Sequence, residues 1–204
     1  MFVPMLWREP RKLNGVLFTG GGLSLAFDTQ YYQTAQMLYD LTLKANDAGD
    51  YMPLWGTWCV SSSLHSCFRH FCGVTFGARS WCSFSMGFQL LNIITSHNQS
   101  VLSHDAFNSE NLPLALNLTT AGATSRMMSA APPQVLRWLT SDNITVNLHH
   151  DGVKPETFRN NEKLSSFYTM ISTNQGRNGN VRVSTSVVPA ACCLLLACAR
   201  VWCD

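Results

Sequence analysis

Charge is scarce in this chain, and cysteine is missing from most of it. Only 13% of the 204 residues are charged, 14 basic against 12 acidic. No Lys/Arg cluster forms the electrostatic footprint of a nucleic-acid binder, so nucleic acid is excluded as a partner. All eight cysteines fall in two segments, 58–85 (Cys59, Cys67, Cys72, Cys82) and 187–204 (Cys192, Cys193, Cys198, Cys203). A disulfide framework distributes its cysteines through the fold, so this clustering points to a change of sequence origin before it points to a redox compartment. His65, Cys67, His70 and Cys72 do not follow paired zinc-ligand spacing, and no metal or other cofactor is expected. The apolar tail around Ala190–Ala199 falls short of the roughly 20 residues needed to cross a bilayer, so no membrane partner is expected. Met1–Glu9 lacks a basic start, a long apolar core and a small-residue cleavage site, and does not read as a signal peptide.

What remains suits one domain with a sizeable core, at 46% hydrophobic residues. Val16–Phe18 is a short apolar run ending at Thr19-Gly20-Gly21-Gly22, a buried strand followed by a turn. From Gln30 to Ala45 the side chains Tyr32, Ala35, Leu38, Tyr39 and Leu43 recur at helical spacing, and Asp47–Asp50 supplies a stop. Tyr51–Trp55 reads as a second buried strand. Strand, helix, strand in that order is a βαβ crossover and favours a parallel sheet with helices on both faces. Met86–Thr95 has helical composition, and Pro132–Leu139 suits a short helix with prolines in its first turn. Pro113–Leu118 and Ser125–Met128 look extended. Asn143–Leu148, Tyr168–Thr173 and Val181–Ser186 read as strands, the last approached through the turn-rich Asn174–Gly179.

Between the second strand and its helix lies a Cys-, Ser- and aromatic-rich stretch that fits neither. Trp55-Gly56-Thr57 and Met86-Gly87-Phe88 read as two halves of one strand-turn-helix elbow that carries a cysteine nucleophile. A translated intron accounts for the break. Trp58 is TGG and Cys59 TGT or TGC, so an intron starting at the last base of codon 58 begins G-TG, a GT donor, and leaves TG; where Ser85 is AGT or AGC, an acceptor ending at its AG leaves T or C, which completes one cysteine codon. Excising the 28 residues 58–85 and restoring one removes 27 codons and keeps the frame. Val187 or Val188, encoded by GTN, offers a second donor, beyond which 187–204 reads as an aberrant C-terminus.

Asn14–Gly21, Asp47–Thr57, Met86–Leu91 and Asn161–Leu164 together resemble γ-glutamyl hydrolase, over residues 14–57 and 86–186. The rejoined elbow reproduces that family's Trp-Gly-Thr-Cys-x-Gly-Phe. The resemblance implies a class I glutamine amidotransferase-like (flavodoxin-like) α/β fold, mostly parallel, incomplete at both ends and interrupted at 58–85. It implies hydrolysis of γ-glutamyl bonds, notably in folate poly-γ-glutamates, through a thiolate and an acyl-enzyme. It further implies a vacuolar, lysosomal or extracellular setting, and it allows a homodimer.

A thiolate at a helix N-terminus has a lowered pKa, and backbone N–H groups hold the oxyanion. Met86 and Gly20 or Gly21 are the expected donors, although Gly20-Gly21-Gly22 taken alone is an ordinary tight turn. His149 matches a family histidine in the substrate pocket; alone, a histidine after an apolar strand reads as structural. Arg126 is read as structural. Cys59 is the nearest surviving thiol, one position late and preceded by Trp58, and an inert intron-encoded cysteine is the better reading of it. The family's catalytic His and Glu come from a Trp-His-Pro-Glu segment, and no histidine follows His150 in this sequence. The expectation is therefore a γ-glutamyl hydrolase chain that is inactive as written. A non-catalytic isoform binding γ-glutamyl ligands and the glutaminase domain of an amidotransferase are the alternatives.

Overall fold

The computed structural model describes residues 15–18, 23–50, 52–57, 86–148, 150–187, 194–197 and 200–201. Strand β1 (Val16–Phe18), helix α1 (Gln30–Asp47) and strand β2 (Leu54–Thr57) form the expected crossover. The two strands are adjacent and parallel, in the register Val16↔Leu54 to Phe18↔Gly56. Thr29 caps α1 by accepting the N–H of Tyr32, which satisfies one of the unpaired donors of the first turn. At the other end, Asn46 donates to Met52 O at 2.8 Å and accepts from Met52 N at 3.2 Å, tying the helix terminus to the chain that enters β2.

Helix α2 (Met86–Ser96) follows, then a single 3-10 turn at Gln99–Val101. Strands β3 (Leu112–Leu114) and β4 (Asn117–Leu118) lead to the short helices α3 (Thr120–Ala123) and α4 (Arg126–Ser129) and to helix α5 (Pro133–Ser141). Ser125–Met128, read from sequence as extended, is thus mostly helical. Ser125 Oγ accepts the Met128 N–H at 3.3 Å, and this cap starts a turn of helix where the apolar pair Met127-Met128 suggested a strand. Beyond strand β5 (Thr145–Asn147), helices α6 (Pro155–Asn160) and α7 (Glu162–Phe167) precede the hairpin β6 (Thr169–Gln175) and β7 (Val181–Val187). Strands β8 (Leu194–Ala197) and β9 (Arg200–Val201) complete the described chain.

The main sheet has six strands in the order β1-β2-β8-β7-β6-β4, and β3-β5-β9 form a second, three-stranded sheet. The fold is mixed α/β. Only β1, β2 and β8 run parallel; β8–β7, β7–β6 and β6–β4 are antiparallel. The expected mostly parallel sheet is corrected at this half, because β6 ends at Gln175 and β7 begins at Val181, and the five residues 176–180 between them are too few for a parallel crossover.

Met170 packs with the larger apolar cluster (Phe18, Tyr39, Leu54, Phe88, Leu91, Tyr168) and its neighbour Ile171 with the smaller (Leu116, Met128). The two clusters meet β6 at this step, where its pairing with β7 shifts register between Met170 and Ser172. Helices α1, α2 and α7 contribute to the larger cluster, α4 and α5 to the smaller. Gly122 in α3 sits so close to the Ile171 carbonyl that a Cβ there would run into its oxygen. Thr119 fixes this seat, its N–H on Ile171 O at 2.9 Å and its hydroxyl on Met170 O at 2.8 Å.

Candidate active site

The parallel registers Phe18↔Gly56 and Thr57↔Ala197 put the C-terminal ends of β1, β2 and β8 at one edge of the sheet. Ligand sites of parallel α/β sheets form beyond that edge. Arg200 lies three residues past Ala197 and pairs with Val146, so chain length plus one strand spacing keeps β5 within about 16 Å of the end of β8.

Helix α2 begins at this edge. A Cβ on Gly56 would lie 2.5 Å from Gly87 O and 2.7 Å from Leu91 Cδ1, so the first turn of α2 rests directly on the penultimate residue of β2. Only a residue without a side chain allows that approach. Two glycines 31 positions apart in sequence thereby close the strand-to-helix contact that an elbow requires. Behind its first turn α2 is enclosed: Phe88, Leu90, Leu91 and Ile94 are fully buried and Ile93 nearly so. Gln89, Asn92 and Ser96 are buried as well, so the helix is covered on all sides and lies inside the core behind that edge. Asn92 Nδ2 donates to Phe88 O at 2.8 Å and Ser96 Oγ to Asn92 O at 2.7 Å, while the buried Asn92 Oδ1 has no partner among the described residues.

Met86 opens α2 as expected, its backbone at the helix N-terminus. Gly20, Gly21, Cys59 and His149 lie outside the described residues, as do His65, Cys67, His70 and Cys72. Arg126 is exposed at the start of α4. His150 is half-exposed and stands 4.0 Å from Glu110, while its carbonyl accepts the Phe107 N–H at 2.9 Å. Asp151 accepts the Asp105 N–H at 2.9 Å and meets His104 Nδ1 at 3.1 Å, and Ser103 and Gly152 exchange two backbone bonds. The segment following position 149 is therefore fastened to the 103–107 loop. Among the described residues no group of three or more His, Cys, Asp or Glu is placed to hold a metal, and no helix is long and apolar enough to cross a membrane.

A buried polar strip in the β6–β7 hairpin has no counterpart in the sequence reading. Thr185 pairs with Ala197, so Arg182 and Ser184 extend beyond the end of β8, on the same edge as the elbow. Arg182 is fully buried and donates from Nη1 to Ser109 Oγ at 2.8 Å. Ser184 donates to Asn174, which in turn donates to Ala115 O at 2.7 Å. The alternation of Val181–Val187 showed a strand, but a half-buried strand is expected to turn its polar side chains to water. Here both faces are covered.

No protein-family model matches the chain. Curated relatives do. The sequence is 30% identical to mouse γ-glutamyl hydrolase over 80% of this chain and 42% of the mouse protein. It is 29% identical to γ-glutamyl hydrolase B of Dictyostelium discoideum, over 85% of this chain and 42% of that protein. The chain is a relative of the γ-glutamyl hydrolases. A third match, a probable γ-glutamyl hydrolase of Arabidopsis thaliana, is 24% identical over 90% of this chain and 46% of its own length. The chain spans less than half the length of these γ-glutamyl hydrolases, and the elbow contact between Gly56 and Gly87 falls within the stretches that first suggested the family.

Proposed function

We propose that this chain derives from a hydrolase of γ-glutamyl bonds, with folate poly-γ-glutamates or γ-glutamyl peptides as substrates, and that as written it does not turn over. The Gly56–Gly87 contact carries the reading: it seats a helix N-terminus on the end of β2, where a cysteine linking Thr57 to Met86 would stand. In that chemistry the thiolate Sγ attacks the γ-carbonyl carbon, and the carbonyl electron pair moves onto oxygen. The oxyanion is met by the Met86 N–H and by a second N–H from Gly20 or Gly21. Collapse expels the amine, which takes a proton from a general acid, and leaves a thioester; water then attacks the thioester, releasing γ-glutamate and restoring the thiol. His149 belongs in this reading to the substrate pocket. No resident cofactor or metal is needed.

The inactive reading rests on the sequence around the elbow. Cys59 is one position late, and a misplacement of about 1 Å costs on the order of 100-fold in rate. We read residues 1–204 as one domain, 58–85 as a translated intron and 187–204 as an aberrant end, and the working compartment as vacuolar, lysosomal or extracellular.

Sequencing the transcript across codons 57–86 and past codon 186 tests the origin of the break. A message shorter by 81 nucleotides (27 codons of three), restoring Thr-Cys-Met-Gly-Phe and continuing to His-Pro-Glu, is the expected result. For the chain as written, incubation with a γ-glutamyl peptide should release no product; turnover at an ordinary enzymatic rate, about 10 per second, defeats the inactive reading.

A further inference from the structure

Helix α1 and the residue that follows α2 enclose an open groove of about 540 Å³, lined by Phe27, Tyr32, Gln36, Asp40 and His97. Its size is within the range of small-ligand sites. None of these residues belongs to the elbow. Tyr32, Gln36 and Asp40 recur every four residues and so share one stripe of α1. They form a polar ladder, Tyr32 Oη donating to Gln36 Oε1 at 3.2 Å and Gln36 Nε2 to Asp40 Oδ1 at 3.0 Å. Both ends of the Gln36 amide are thereby engaged, which fixes the wall. Burial, then the negative charge of Asp40, raises the Tyr32 hydroxyl above its ordinary range and keeps it a donor to Gln36.

Asp40 is exposed, and no ion pair among the described residues includes it. A single neutral amide donor leaves most of its acceptor capacity open. At the other end of the ladder Phe27 leans on Tyr32, ring centroids 5.0 Å apart and planes at 57°, and remains 45% exposed. His97 completes the lining, in the left-handed region at φ 51°. A carboxylate and an exposed aromatic face along one groove suit a flat cation with several donors and an apolar stem. An anion would meet Asp40 unfavourably, and an uncharged apolar group would strip water from the ladder.

We propose that this groove binds a guanidinium, as carried by an arginine side chain of a partner peptide, with the head on Asp40 and the apolar stem along the ladder toward Phe27. A guanidinium fits better than an ammonium because it is planar and pairs with carboxylates through two N–H groups. The site is open, so binding is weak and salt-sensitive.

The test is a chemical-shift titration of the ¹⁵N-labelled full chain with Nα-acetyl-arginine N-methylamide, beside the citrulline counterpart, which keeps the shape and loses the charge. Saturable shifts at Phe27, Gln36 and Asp40 in the millimolar range are expected, with citrulline at least about 5-fold weaker. Asp40→Asn should weaken the arginine probe by about 2- to 5-fold, and so should Phe27→Ala. Equal binding of arginine and citrulline, indifference to both substitutions, or no saturation overturns the proposal. If one variant loses its native spectrum, the citrulline comparison on the unmodified chain still decides. None of these outcomes bears on γ-glutamyl chemistry, since the groove shares no residue with the elbow.

Discussion

Gly56 and Gly122 each occupy a place where a single methyl group meets main chain rather than a yielding side chain. Gly56→Ala sets a Cβ 2.8 Å from the Gly87 carbonyl carbon and closer still to its oxygen, so α2 must lift off β2. A loss of about 1–3 kcal/mol is expected, read as a lower urea midpoint with an unchanged slope. Thr95 lies between two buried tyrosines, 3.0 Å from Tyr39 Oη and 3.0 Å from Tyr168 Oη. Burial, helped by the charge that Tyr39 would carry, raises the Tyr168 hydroxyl well above its ordinary value. The folded state then holds a proton that the unfolded state releases from about pH 10. Stability is complete below that pH and falls as pH rises toward the folded value. Tyrosinate absorbance should therefore appear for Tyr168 only together with loss of helical circular dichroism; Tyr168→Phe removes that coupling and costs about 1–2 kcal/mol. Smooth titration of every tyrosine in a folded chain contradicts this assignment.

Among the helices, the long ones were plain from the chain alone and the short ones were not. Apolar spacing along Gln30–Asp47 and the apolar composition of Met86–Ser96 both announce helices, and each has a core to bury. Helices α3, α4, α6 and α7 hold four to six residues, too few for periodicity to register, and three of them exist through caps and seats: Ser125 for α4, Thr119 for α3, Asn161 for α7. Ser125→Ala should cost about 1 kcal/mol in a denaturant melt; no change would mean that packing of Met128 alone holds α4. The approach of β2 to α2 was legible because Trp55-Gly56-Thr57 and Met86-Gly87-Phe88 keep their motifs on either side of residues 58–85. The polar hairpin was not, because Arg182 finds its partner Ser109 across 73 positions, beyond any window of sequence.

Across the whole molecule, β8 is the only strand among the described residues that joins β1-β2 to β7-β6-β4. A chain stopped after Val187 should expose the edges of β2 and β7 and unfold without a sharp transition, with raised dye binding and aggregation. A cooperative melt like that of the full chain would mean that the helices alone bind the halves together. The opposite change tests the elbow: replacing residues 58–85 by one cysteine should give a thiol whose alkylation by iodoacetamide rises with a midpoint below the ordinary value of about 8.5. A midpoint at the ordinary value would mean that the thiol does not sit at the α2 N-terminus. Both results concern how the sheet and its covering helix meet, which no local pattern encodes.

The central place of β8 also sets an order in time. Ribosomes release β1, α1 and β2 first and the β6–β7 hairpin much later, at about 5–20 residues per second. The strand that must slide between them is made after both. Until it arrives, two half-sheets wait with open edges facing each other, and any neighbouring nascent chain offers the same edges. Yield of this protein in a cell should therefore depend on the speed of translation and on chaperone supply more steeply than its final stability suggests.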